Sequence, residues 1–266
     1  IKEKRTANSR YFIDKDTAGL FYIQQSIGDI HYKKNGLWYP IDPRLSSLRK
    51  GLYEASNQAE PVGFDFAARN AYIQTLHAGK ISFNQWMLYG KKNGTLVLLA
   101  DANWSDFDAG DDGIYFRNIF PAIDAEMSVS RSSIKTSFII HRNLFNNIDS
   151  LVFLDVFSGK KQTGFASPTD PFSARWSSGN QPVLHISPAL GYVENEPSIN
   201  FVLPYQQNND SLSFAISVST VNSLLSKGRL VIDPEVSTSN SIAKAVITGS
   251  MYNADCNKNN SCDYSM

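Results

Sequence analysis

The stretch ISFNQWMLYGKKNGTLVLLA, residues 81–100, sets the fold class. Two apolar runs of strand length flank Lys92, Asn93 and Gly94. Asn-Gly between such runs signals a two-residue hairpin, because both turn positions need positive φ. The same grammar recurs along the chain. Asn35-Gly36 separates His31–Lys33 from Trp38–Ile41, and Gly28-Asp29 follows Phe21–Gln25. Asp112-Gly113 precedes IYFRNIF, and Ser158-Gly159-Lys160 follows LVFLDVF. Asp210 and Ser211 part SINFVLPY from SLSFAISVS. Short strands with closely spaced turns predict an all-β antiparallel β-sandwich. Helical signal is confined to one turn near Val221–Ser226. FDFAARNAYIQTL reads equally as helix or strand. No fixed repeat period is present, which argues against solenoids and propellers.

The acidic stretch Asp101–Asp112 is the expected seam between two sandwich lobes, residues 1–110 and 111–236. Beyond Pro234 the composition turns to Ser, Thr and Asn, so residues 237–266 are expected to be a linker or tail leading to a following domain. The first residue is Ile1, which suits a processed or trimmed chain. The expectation is the N-terminal part of a longer protein.

The 266 residues carry 25 Lys+Arg against 25 Asp+Glu, so the formal net charge is zero. That leaves no overall electrostatic footprint for nucleic acid or an anionic membrane. No apolar run approaches the ~18 residues of a membrane span. Both cysteines, Cys256 and Cys262, lie in DCNKNNSCD. A disulfide closing that polar loop is the favoured reading and implies an oxidising compartment. The alternative, a half-set of metal ligands, has poor spacing for zinc.

Candidate sites are few. Asp106, Asp108, Asp111 and Asp112 sit among glycines and could fold oxygens around Ca²⁺, or form a solvated turn. Asp255, Asn257, Asn259 and Asp263 occupy calcium-loop positions, but Asn260 stands where Gly is needed and Met266 where Glu is needed. Trp176, in the polar stretch SARWSSGNQ, is the ligand-contact candidate because a Trp in such a loop can stack on a sugar. Trp38, Trp86 and Trp104 lie in strand patterns and read as packing. Asp124 and Asp233 each end an apolar run and read as turn caps. Pro121 lacks an N–H, so its segment is an edge, a bulge or a crossover. His31, His77, His141 and His185 show no ligand spacing, and Glu194 and Glu196 flank a loop. With no GxSxG or HExxH motif, no catalytic residue is assigned and no enzyme is expected.

Four segments carry a resemblance: residues 114–140, residues 228–236, KRTANSRYFID at 4–14, and HYKKNGLWYPID at 31–42. Together they resemble the N-terminal domain of very long secreted surface proteins of the Bacteroidetes type, including gliding-motility adhesins and leaders of β-propeller-type repeats. Through Tyr32, Gly36, Trp38, Ile41 and Asp42 there is a looser resemblance to leader domains of RHS/YD-repeat proteins. The resemblance covers about residues 5–236. It implies export by type IX secretion and a place at the outer membrane or cell surface. It implies a non-catalytic, adhesin-like role, with an outer-membrane or surface protein, or an extracellular glycan, as partner. It brings no cofactor beyond the possible calcium. A carbohydrate-binding β-sandwich and a secreted hydrolase are the alternatives.

Overall fold

The computed structural model describes residues 5–13, 21–26, 29–145, 147–159, 163–165 and 170–238. Both Asn-Gly turns form as read. Asn35 and Gly36 have φ of 50° and 80°, and Asn93 and Gly94 have 48° and 83°. These values match the turn whose twist suits a hairpin. FDFAARNAYIQTL resolves as the paired strands Val62–Asp65 and Asn70–Thr75. Arg69 accepts φ of 52° at the turn between them. The helical turn expected near Val221 is a helix over Val218–Leu225, started by Ser217, whose hydroxyl accepts from the Thr220 N–H at 3.0 Å.

Among the described residues the strands form three principal antiparallel sheets and two small hairpins. The first is a meander over residues 46–83. The second has five strands in the order Thr95–Asp101, Met87–Lys92, Ser150–Val156, Ser211–Ser217, Tyr205–Asn208. The third has eleven strands, built around Gly113–Phe120, Ile123–Ser130 and Ser133–Ile140. It branches from Ser133–Ile140 to Leu230–Asp233 and then to Ala189–Val193. The architecture is all-β and sandwich-like. Hydrogen bonds between Met87–Lys92 and Ser150–Val156 cross the expected seam at residue 110 and tie its two sides into one sheet.

The second and third sheets face each other through aromatic side chains. Phe138 and Phe120 come from the large sheet, and Phe153 and Phe214 from the five-stranded one. Phe138 meets Phe153 at 4.9 Å and the Trp86 ring edge-on at 5.0 Å. Phe153 stacks on Phe214 at 5.1 Å. A second aromatic group closes the meander against the start of the large sheet, with Phe66 stacked on Phe107 at 3.8 Å. Buried residues from Leu45 to Val236 belong to one core cluster. Burying side chains of this size contributes about 1.5–3 kcal/mol each, which makes this seam the main stabilising contact between the two sheets.

Pro121 lies outside the strand ladder. It occupies the first central position of a tight turn between Phe120 and Ile123, with Ala122 at φ 61°. The bulge falls instead between Phe116 and Phe120, where Asn118 has φ 47°.

Candidate functional site

Strand alternation gives the large sheet a second, outward face. On Ile123–Ser130 the odd residues point into the core, while Asp124, Glu126, Ser128 and Ser130 point away. On Ser133–Ile140 the outward set is Lys135, Ser137 and Ile139. Register then assembles the polar groups. Ile123 pairs with Ile140, which brings His141, just past its strand, beside Asp124. His141 Nε2 donates to Asp124 Oδ2 at 2.7 Å, and the Tyr115 hydroxyl donates to the same oxygen at 2.5 Å. The Asn118 N–H fills Asp124 Oδ1 at 2.7 Å. Farther across the face, Lys135 Nζ holds the buried Asp233 carboxylate at 2.6 Å, and Tyr192 hydrogen-bonds the same carboxylate. Arg229, just before the strand residue that pairs with Ile140, ion-pairs Glu194 at 2.5 Å near Tyr115.

The electrostatics follow from these contacts. Burial alone would raise the Asp124 carboxyl, but the bonds from Tyr115, Asn118 and His141 outweigh it and hold the group below its ordinary range. Tyr115 is pushed up to about 12, first by burial and then by its bond to Asp124. Tyr192 is likewise pushed up to about 12, by burial and then by the charge of Asp233. The cluster is therefore a part-buried carboxylate that accepts three hydrogen bonds on the outward strand face. It can fix side-chain orientation and present a patterned polar surface. Asp124→Asn should lower the Tyr115 phenol from about 12 while leaving it above the ordinary tyrosine value, because burial remains. An ultraviolet titration against a Tyr115→Phe control reads this directly. An unchanged Tyr115 would mean that Asp124 does not act on it.

Asp124 acts as the expected turn cap, through the Asn118 N–H at the bulge, and also binds two side chains. Asp233 instead pairs its buried carboxylate with the half-exposed Lys135. The pairing of Asp124 with a histidine 17 residues away was not visible without the hairpin register.

The acidic stretch is arranged differently from a calcium loop. Asp106 and Asp108 alternate on one side, opposite Arg117 of the neighbouring strand, and both are ion-paired to it. Asp111 and Asp112 offer main-chain oxygens to the N–H groups of Leu45 and Val129, at 2.6 and 2.7 Å. Among the described residues, no three His, Cys, Asp or Glu side chains converge as a metal site requires. Trp176 also departs from the reading as a ligand contact. It is 2% exposed, stacks on Phe157 at 5.4 Å and meets Phe165 edge-on at 4.9 Å. Its polar neighbours in sequence alternate outward, while Trp176 shares the inward face with Ala174. Cys256, Cys262 and the second calcium-loop candidate, Asp255 to Met266, lie outside the described residues.

A polar node that the sequence did not announce lies inside the core. Asn84, at φ 59°, donates from its side chain to Thr136 Oγ1 at 3.1 Å and accepts from the Trp86 indole at 3.0 Å. Its N–H donates to Asp155 Oδ2 at 3.0 Å. These groups line a cavity of about 10 Å³, about the least space that admits one water. Asp155 is 1% exposed, and burial pushes its pKa up to about 8 against the opposing N–H groups of Asn84, Gln85 and Val156. The one available signal was an Asp inside the apolar strand LVFLDVF.

Compared with known proteins, the chain matches no protein-family model, and no curated protein matches its sequence. Among the described residues no helix is long and apolar enough to cross a membrane.

Proposed function

We propose that this chain is a non-catalytic interaction domain of a secreted, cell-surface, adhesin-like protein, placed in its N-terminal part. The observation that carries the reading is the outward face of the large sheet. There Tyr115, Asp124, His141, Lys135, Asp233 and Tyr192 are locked in mutual hydrogen bonds and ion pairs. Such a face is polar and fixed by its own hydrogen bonds, buried at Asp233 and half-exposed at Lys135, which suits recognition of another macromolecule more than chemistry on a small enclosed substrate. The resemblance of residues 4–14, 31–42, 114–140 and 228–236 to leader domains of long surface proteins supports export to the cell exterior and a partner at the outer membrane. The sugar-binding alternative loses its anchor with Trp176 inside the core.

The test is made in the cell that produces the protein. Removing residues 1–236 from the gene should reduce attachment or surface movement of that cell while the remainder is still exported. Unchanged attachment would reduce the domain to a spacer and end the proposal.

A further inference from the structure

The five-stranded sheet ends in Thr95–Asp101, which among the described residues pairs on one side only, with Met87–Lys92. Such edges invite pairing with another chain unless they are short, charged or interrupted by proline. Of the other described edges, Ser46–Arg49, Phe107–Ala109, Thr163–Phe165 and Tyr205–Asn208 are short or polar, Gly79–Phe83 is met by Ser158, and the eight-residue Glu196–Leu203 contains a proline. This one has seven residues, TLVLLAD, with Leu96, Val97 and Leu98 at 51%, 53% and 48% exposure. The apolar character continues inward across the sheet. On the face turned away from the core, register aligns Leu98, Tyr89, Val152 and Ala215 in one row.

The hairpin geometry says which groups are available. The Asn93-Gly94 turn closes on the pair Lys92–Thr95, so Thr95 and Val97 direct their N–H and C=O groups to the neighbouring strand. Leu96 and Leu98 direct theirs outward, where among the described residues no strand meets them.

We infer that this edge pairs with the same edge of a second copy, antiparallel about a two-fold axis at Val97. In that register Leu96 of each copy faces Leu98 of the other, so each pair joins two outward-directed backbones and closes both N–H···O bonds. The bulge at Leu88/Tyr89 leaves Leu99 on the core side, covering Gly90 beside Ile148, and the Leu96–Leu98 faces stay in phase. Four leucines then form one cluster flanked by the two Tyr89 rings. Charge agrees with the two-fold. Asp101 of one copy arrives at the hairpin end that carries Lys91 and Lys92 of the other, while like charges lie at opposite ends. An isologous contact of this kind is self-complementary and closes at two copies.

Sedimentation equilibrium of the full chain should give twice the 29.6 kDa monomer mass. Leu98→Pro removes an outward N–H that the hairpin does not use, and Leu96→Lys places a charge at the leucine cluster. Both should return the mass to that of one chain while circular dichroism stays native. A wild-type monomer at all concentrations, or a dimer that survives both substitutions, overturns the inference. Amide exchange at Leu96 and Leu98 separates the other occupants. Protection that rises with protein concentration supports the dimer. Protection in a monomer assigns the edge to another part of the same chain and overturns it.

Discussion

Phe138→Ala is expected to cost about 3–5 kcal/mol of folding stability, the usual range for emptying a buried phenylalanine site. Phe138 is fully buried and meets Trp86, Phe120, Phe153 and Phe214. Two of these neighbours sit on the facing five-stranded sheet, so the ring fills the space between sheets, and no single strand can collapse to close the hole. A domain of this kind has a total stability of only about 5–15 kcal/mol. The loss should therefore appear as a large drop in the urea midpoint. Because both sheets meet at this ring, signals from Trp86 and from the backbone should still fall in one transition. A loss under about 1 kcal/mol would mean that the sheets are not packed through Phe138.

The second large effect is a pH dependence centred on Asp155. An unfolded Asp releases its proton near pH 3.8, whereas the folded group holds it to about pH 8. Between these values the folded state binds more protons than the unfolded one, so stability falls as pH rises through that window and is level above it. The contribution is fully present below about pH 4. About four pH units at about 1.4 kcal/mol each amount to roughly 6 kcal/mol. Asp155→Asn keeps a neutral polar group of the same shape and should remove most of this slope. Urea unfolding at pH 5, 7 and 9 for both proteins measures it. A wild type whose stability rises from pH 5 to pH 9, or an Asn variant with the same slope, would place the titration elsewhere. Thr136, Asn84 and Trp86 share the cavity with Asp155 but carry no charge that could reverse the sign, and the cavity's Tyr205 phenol is pushed well above its ordinary value by burial and then by the Asp155 charge, so it stays neutral across this window.

The same local rules explain what could be read from the residues and what could not. Turns were readable because Asn93-Gly94 and Asn35-Gly36 answer a backbone demand that few other residues meet. Strand faces were readable wherever alternation was strict, as in Ile134, Thr136, Phe138 and Ile140. Sheet order was not. The contact of Met87–Lys92 with Ser150–Val156 joins strands about 60 residues apart through backbone bonds that carry no residue code. The seam expected at the acidic stretch reflected composition, whereas pairing ignored it. Trp176 misled because its neighbours are polar, yet the period of two within Ala174–Ser178 already placed it with Ala174. Asp106 and Asp108 suggested a cation because they alternate with small residues. The cation they meet is Arg117, supplied by the next strand. Asp155 is marked in the sequence only by its place inside the apolar run LVFLDVF, and Asn84 by nothing, since a buried polar pair is recognisable only when both partners are in place.

The outward face of the large sheet is the proposed working surface, and a competition experiment tests it most directly. The purified chain is added to cells that carry the protein, and their attachment is measured. It is compared with a chain bearing Arg117→Glu and Arg229→Glu, two exposed substitutions at the margins of the Tyr115–Asp124–His141 cluster. The unaltered chain is expected to block attachment, and the folded double variant to lose that effect. Equal competition by both chains, or by neither, would contradict a binding role for this face.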